Sequence, residues 1–208
     1  MNIIVDIDGT LVDKHYNTTY DFLLDFIITK KPNLWRIRYY LLKFYVRYEW
    51  ILFKLFGAQV VILFSQIIIS IVLFMINYNE LVQFAYEWIQ HIKYDSLLVK
   101  ILRHKSSVIV LSASIEPIVE VFAQMLNTKK YASSTFFKIN NRIIFMNKRH
   151  LLNSKIEEIR RNKWFPYIYI VDNPEYEDIV SKNSKITIKH ICCKTTSNYI
   201  KIKNIDYE

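Results

Sequence analysis

The first ten residues constrain the fold more than any other part of the chain: an apolar run, Ile3-Ile4-Val5, delivers Asp6-Ile7-Asp8-Gly9-Thr10. Only two of the 208 residues are glycine, and Gly9 is one of them. A typical soluble domain carries about 7% glycine, so one kept in a glycine-poor chain meets a backbone demand, here a strand stopping in a tight turn. Side chains alternate along a strand, which puts Asp6 and Asp8 on the same side if the extended geometry persists to Asp8. Two carboxylates then converge at the carboxyl end of a strand, the edge at which open α/β sheets bind ligands. Such a pair repels itself unless a shared proton or a hard, oxygen-binding cation such as Mg2+ intervenes. Taken alone, the pentapeptide is equally a solvated Asp-Gly turn.

Three later segments bear on that choice. Val108-Ile109-Val110-Leu111 is a buried strand pattern ending in Ser112-Ala113-Ser114, followed by an apolar-periodic helix from Ile118 to Leu126. Ser114 or Glu116 is placed to cap that helix, whose N-terminus is itself an anion site. Asn153-Ser154-Lys155-Ile156-Glu157-Glu158-Ile159 is a helical start with a lysine in it. On its own terms Lys155 is a solvated surface lysine, and Lys148 competes with it. Tyr167-Ile168-Tyr169-Ile170-Val171 is a strand closed by Asp172.

In this order the four segments resemble motifs I to IV of the haloacid dehalogenase superfamily. The fourth departs from the family pattern: Val171 stands where glycine is usual, and the second acid is open among Glu175, Glu177 and Asp178. The resemblance implies an α/β fold, a Rossmann-like core with a parallel sheet flanked by helices. It also implies phosphoryl transfer through an aspartyl-phosphate. Asp6 is then the nucleophile and Asp8 the general acid and base, while Ser112 and Lys155 hold the phosphoryl oxygens. Gly9, Thr10 and Ala113 join Ser112 around the substrate. Mg2+ is implied at Asp6, at the backbone carbonyl of Asp8 and at Asp172. Those residue types suit the chemistry, because a carboxylate approaches a phosphate dianion only when positive charge neutralises the approach.

The stretch from Gly9 to Leu111 is far too long for a βα crossover, so it holds an inserted domain. Residues 1–13 plus 103–208 are expected to form the catalytic core, and 14–102 an all-helical, very apolar C1 cap. In the segment 34–56, Arg36, Lys43, Arg47 and Lys54 fall within about 40° of one another on a helical wheel. Around them lie Trp35, Tyr39, Tyr40, Phe44, Tyr45, Tyr48, Trp50, Phe53 and Phe56, the composition of a helix in a membrane interface. A solvated basic stripe over an aromatic cap core has the same composition.

Ala58 to Ile76 carries no charged residue, and as a helix spans about 28 Å, close to the ~30 Å bilayer core. Yet Gln59, Gln66, Ser70 and Asn77 form one polar seam, within about 40°, which suits packing on protein or on a partner helix. Asp6 and Ser112 must also share one compartment, which forbids a single crossing between them. Charges in 34–56 make a second crossing costly. An amphipathic hairpin embedded in one leaflet satisfies these constraints.

A net charge of +9 suits an anionic membrane surface or an anionic substrate. No nucleic-acid recognition module is present in the sequence pattern, so nucleic acid is not an expected partner. The chain begins with the catalytic strand, so no cleavable signal is expected and the catalytic part should be cytoplasmic, at the inner face of the membrane. A homo-oligomer is compatible with the apolar insertion. Cys192 and Cys193 are adjacent without a second pair, which supports neither a structural disulfide nor a zinc site.

Within the superfamily the chain resembles subfamily IB, which holds phosphoserine phosphatase relatives and membrane-associated phosphatidylglycerophosphate phosphatases. The leading expectation is a phosphomonoesterase acting on a lipid phosphate head group. A phosphatase of a small soluble phosphomonoester is the alternative. A non-catalytic, membrane-associated binding protein with an altered fourth motif is the third.

Overall fold

The computed structural model describes residues 1–30, 33–147, 152–192 and 203–204. Its centre is a seven-stranded sheet in the order β4-β3-β2-β1-β5-β6-β7. Strands β1 (Asn2–Val5), β2 (Val108–Ile115), β3 (Tyr131–Ile139), β5 (Tyr167–Val171) and β6 (Ile186–Lys189) run parallel. At the edges β4 (Arg142–Asn147) and β7 (Lys203–Asn204) pair antiparallel.

Both faces of the sheet are covered, so the strands read as apolar runs rather than polar-apolar alternations. Alternate residues serve opposite cores. Val5, Val108 and Val110 face one side, with α5 (Glu116–Met125) and the inserted helices. Ile4, Ile109, Leu111, Tyr167, Tyr169 and Val171 face the other, with Ile156 and Ile159 of α6 (Leu152–Arg161) and Val180 of α7 (Asp178–Lys182).

Four helices connect β1 to β2: α1 (Tyr20–Lys30), α2 (Asn33–Leu73), α3 (Tyr78–His91) and α4 (Ser96–Arg103). The 41 residues of α2 do not form one rod. Gly57 breaks it with φ +77°, a left-handed conformation open to glycine at no steric cost. The two limbs then run back along each other. The Tyr45 hydroxyl donates to the Val61 carbonyl at 3.0 Å, and Arg38 donates to the carbonyls of Val72 and Phe74. The second glycine of the chain thus makes a helical hairpin.

The hairpin ends against the sheet. Met75 N donates to the Ile143 carbonyl, Ile143 N to the Ile76 carbonyl, and Met146 N to the Ser70 hydroxyl. These bonds cover the outer edge of β4, which would otherwise present unpaired backbone groups. At Ser70 and Asn77 the polar seam therefore meets protein, since the Asn77 carboxamide also accepts from Asn141. Gln59 remains exposed.

Several local expectations shift. The β3–β4 connection is a two-residue turn, with Asn140 and Asn141 both at positive φ and Arg142 already paired to Ile139. Strand β2 continues to Ile115 past Ser112, and α5 starts at Glu116 with no side-chain cap. Ser114 is not the cap, because its hydroxyl is turned towards Asp8. Cys192 is buried and disulfide-bonded, which overturns the expectation of no disulfide there. Cys193 and Lys148 lie outside the described residues.

Candidate active site

The parallel topology sets the carboxyl ends of β1, β2 and β5 side by side, and the turn after β1 closes between them. The amides of Thr10, Leu11 and Val12 all donate to the Ile7 carbonyl. Gly9 sits at φ +73°, and a Cβ there would lie 2.3 Å from Oδ2 of Asp172. Only glycine lets the two loops approach this closely, which meets the backbone demand read from the sequence.

Asp6 is buried, with Oδ1 accepting from the Ile7 amide at 2.9 Å and Oδ2 3.2 Å from Nζ of Lys155. Lys155 is itself buried and reaches a second carboxylate, Oε1 of Glu177, at 2.6 Å. Tyr169 closes the group, donating its hydroxyl to Oε2 of Glu177. Of the three candidates for the second acid, Glu177 is therefore the one at the lysine. Glu175 is exposed, and Asp178 pairs with Lys182 on the surface.

Asp8 points another way. The extended geometry ends at Val5, so its carboxylate turns to the hydroxyls of Thr18 and Ser114, each at 2.7 Å. These two hydroxyls also touch each other, and Ser112 donates to Ser114 at 3.2 Å. Ser112 thus stands one hydroxyl behind Asp8. Ala113 lines the open cleft beside Asp8 and Ser114. Thr10 is fully buried and its hydroxyl has no hydrogen-bond partner.

Sequence reasoning missed Ser114 and Thr18 as partners of Asp8. Ser114 was readable, since it lies two positions beyond Ser112 and so on the same strand face. Thr18 carried no pattern of its own.

The electrostatics are those of a crowded anionic centre. Burial raises the Asp8 pKa, Asp6 raises it further, and the Thr18 and Ser114 hydrogen bonds oppose both. Burial and then Asp6 also raise Asp172 and Glu177, with Lys155 opposing in each case. Burial lowers the Lys155 pKa, but Asp6 and Glu177 outweigh it and leave it raised. Of these four carboxylates only Asp6 and Glu177 are in contact with the buried ammonium of Lys155, and Asp6 is the common source of repulsion for the other three.

That surplus of negative charge is what a hard divalent cation relieves. Among the described residues no three acidic, histidine or cysteine side chains converge as a metal site. With the Asp8 side chain turned away, the donors that fit are the carboxylates of Asp6 and Asp172 and the main-chain carbonyl of Asp8.

No protein-family model matches the sequence, and no curated protein does. Solved structures do match in fold. Cytosolic 5'-nucleotidase IIIB, solved with bound cytidine, superposes with a TM-score of 0.57 at 16% identity over 83% of this chain; the chain spans 65% of that protein. Phosphoserine phosphatase in its apo form gives 0.51 at 14% identity, over 89% of this chain and 83% of that one. A phospho-aspartyl intermediate analogue of phosphoserine phosphatase gives 0.50 at 15% identity, over 90% and 84%. The chain shares the fold of these proteins, a Rossmann-like α/β sheet flanked by helices.

Proposed function

We propose that this protein is a Mg2+-dependent phosphomonoester hydrolase working through an aspartyl-phosphate on Asp6, and that its substrate is a lipid phosphate at a membrane surface. The observation that carries the catalytic reading is the buried contact of Asp6 with Lys155 at the carboxyl end of β1, beside Asp172. A carboxylate oxygen of Asp6, whose Oδ1 is oriented by the Ile7 amide and whose Oδ2 faces Lys155, attacks phosphorus as the ester P–O bond breaks. Asp8, held by two hydroxyls and biased by burial towards its protonated form, donates the proton to the departing alcohol. Water then attacks the phosphorus, Asp8 takes back a proton, and phosphate leaves with Asp6 restored. Lys155 neutralises charge on the phosphoryl oxygens, held in place by Glu177 and Tyr169. Mg2+, when bound, supplies the remaining charge neutralisation.

The lipid part of the proposal rests on α2. The window Trp35–Leu73 is apolar enough to cross a membrane by length and composition, and only 22% of its most apolar window is buried. Its reversal at Gly57 makes the second limb, 58–73, about 24 Å long, short of the ~30 Å hydrocarbon core. Ile37, Tyr40, Phe44, Phe53, Leu55 and Phe56 are exposed on the first limb, and Leu63, Phe64, Ile67 and Ile71 on the second. Arg36, Lys43, Arg47 and Lys54 are all exposed too. An apolar face flanking a basic stripe suits a hairpin lying in an anionic leaflet, with residues 14–102 acting as a cap over the site.

A second reading, hydrolysis of a small soluble phosphomonoester, is favoured by the likeness in fold to a phosphoserine phosphatase and a nucleotidase. One screen separates the two. Wild type and Asp6→Asn are assayed with Mg2+ on an aryl phosphate, soluble phosphomonoesters and phosphatidylglycerophosphate in detergent. Equal signals from both proteins overturn the enzymatic reading, and turnover of soluble esters alone overturns the lipid one.

A further inference from the structure

Glu49 is the only acidic residue of α2, in a helix that also carries Arg36, Arg38, Lys43, Arg47 and Lys54. None of those cations pairs with it. Arg38 lies over Trp35, Lys43 over Tyr39, Arg47 over Tyr48 and Lys54 over Trp50. Instead Oε1 of Glu49 accepts the Tyr20 hydroxyl at 2.8 Å, and lies 3.1 Å from the Tyr45 hydroxyl, whose single proton it shares with the Val61 carbonyl. Oε2 has no hydrogen-bond partner among the described residues. A half-buried carboxylate fixed at one oxygen and free at the other is a poor stabiliser of its own helix and a ready acceptor for something else.

What it faces is informative. Glu49 lines a cleft of about 550 Å3 that also contains Asp8, Ala113 and Ser114, and that passes between the loop 14–21, Ile69 of the second limb and Ser134 of β3. Asp8 is the group that meets the leaving oxygen in the proposed mechanism, so the cleft beyond it receives the alcohol part of the substrate. Asp21 also lines the cleft, with Oδ2 accepting from the Asn17 amide, and so do Lys14 and His15.

We propose that Glu49 selects phosphomonoesters whose alcohol part carries a hydrogen-bond donor, a hydroxyl or an ammonium. The proposal rests on the phosphatase reading above and narrows it. A half-buried acceptor that bound substrate closes off from water discriminates against analogues lacking a donor, because the acceptor is then left unpaired.

The test compares, within each protein sample, kcat/KM for matched esters with and without a donor, so the fraction of folded enzyme cancels. Glycerol 3-phosphate against propyl phosphate reads the hydroxyl, and phosphoethanolamine against ethyl phosphate reads the ammonium. Phosphatidylglycerophosphate against phosphatidate in one detergent reads the hydroxyl on a lipid. In Glu49→Leu, which removes the acceptor, the preference for the donor-bearing member falls about tenfold in at least one pair. Tyr20→Phe, which removes one of the two bonds orienting Glu49, gives a smaller fall in the same pair. Unchanged ratios in both variants overturn the assignment of Glu49 while leaving the phosphatase reading intact. A wild type that turns over none of the esters with Mg2+ overturns both.

Discussion

At the carboxyl ends of β1 and β5 the ionisable groups are buried against named partners, whereas along α2 the largest side chains stand in the open. Asp6 and Lys155 are 6% and 3% exposed, against 69% and 68% for Ile37 and Leu55. The floor of the site is a closed network in which each charge is set by its neighbours. The hairpin exposes what soluble folds usually bury, and contiguous apolar surface on that scale marks a binding face. On the proposed function, chemistry belongs to the first region and membrane contact to the second.

The sharpest way to break that division is to perturb each region and read both activity and attachment. Asp6→Asn should lower turnover of an aryl phosphate by at least ~1,000-fold while leaving vesicle binding as in wild type. Vesicle binding that falls with the chemistry would merge the two regions. Lys155→Met strands Glu177 and Asp6 without their shared cation, and removing one partner of a buried ion pair costs about 3–5 kcal/mol. Chemical denaturation checks the loss.

Gly9→Ala combines a left-handed φ with a clash against Asp172 and should cost about 1–3 kcal/mol, with a weakened Mg2+ response in the same melting experiment. On the hairpin the effects are smaller. Arg47→Glu or Lys54→Glu should weaken sedimentation with anionic vesicles by about 1 kcal/mol per basic group removed, more at low salt than at high. Tm should not move, because both side chains are solvent-facing.

How much of this was legible follows the same division. Asp6, Lys155 and Asp172 could be read from strand ends and motif order, because a parallel sheet places strand ends together regardless of their separation in the chain. The orientation of Asp8 could not, since it depends on β1 ending at Val5 and on a hydroxyl from the loop at Thr18. Glu177 was one of three acids, and burial beside Lys155 selected it. The reversal of α2 was signalled only by Gly57, whose role in a long apolar segment depends on the contacts at Tyr45 and Arg38 that hold the limbs together.

The smallest expected effect is the pH dependence of the metal-free protein. Asp8, Asp172 and Glu177 all have folded pKa values raised above their ordinary ones. Their contribution to stability is complete below those ordinary values and is lost as pH rises through the raised ones. Lys155 is also raised, so its share persists to alkaline pH. Lowering the pH from neutral into the weakly acidic range should therefore raise Tm relative to a control lacking the Asp6 charge. Adding Mg2+ at neutral pH should have the same sign in wild type and a smaller size in Asp6→Asn.

The central claim is a covalent one, and trapping tests it most directly. Wild type with Mg2+ and an aryl phosphate is quenched in acid during turnover, and its peptides are mapped for a phosphoryl group that is lost on brief alkaline treatment. The account predicts the label on Asp6, absent from Asp6→Asn and accumulating when Asp8 is replaced by Asn. Turnover with no label on Asp6, or with the label on another residue, would contradict it.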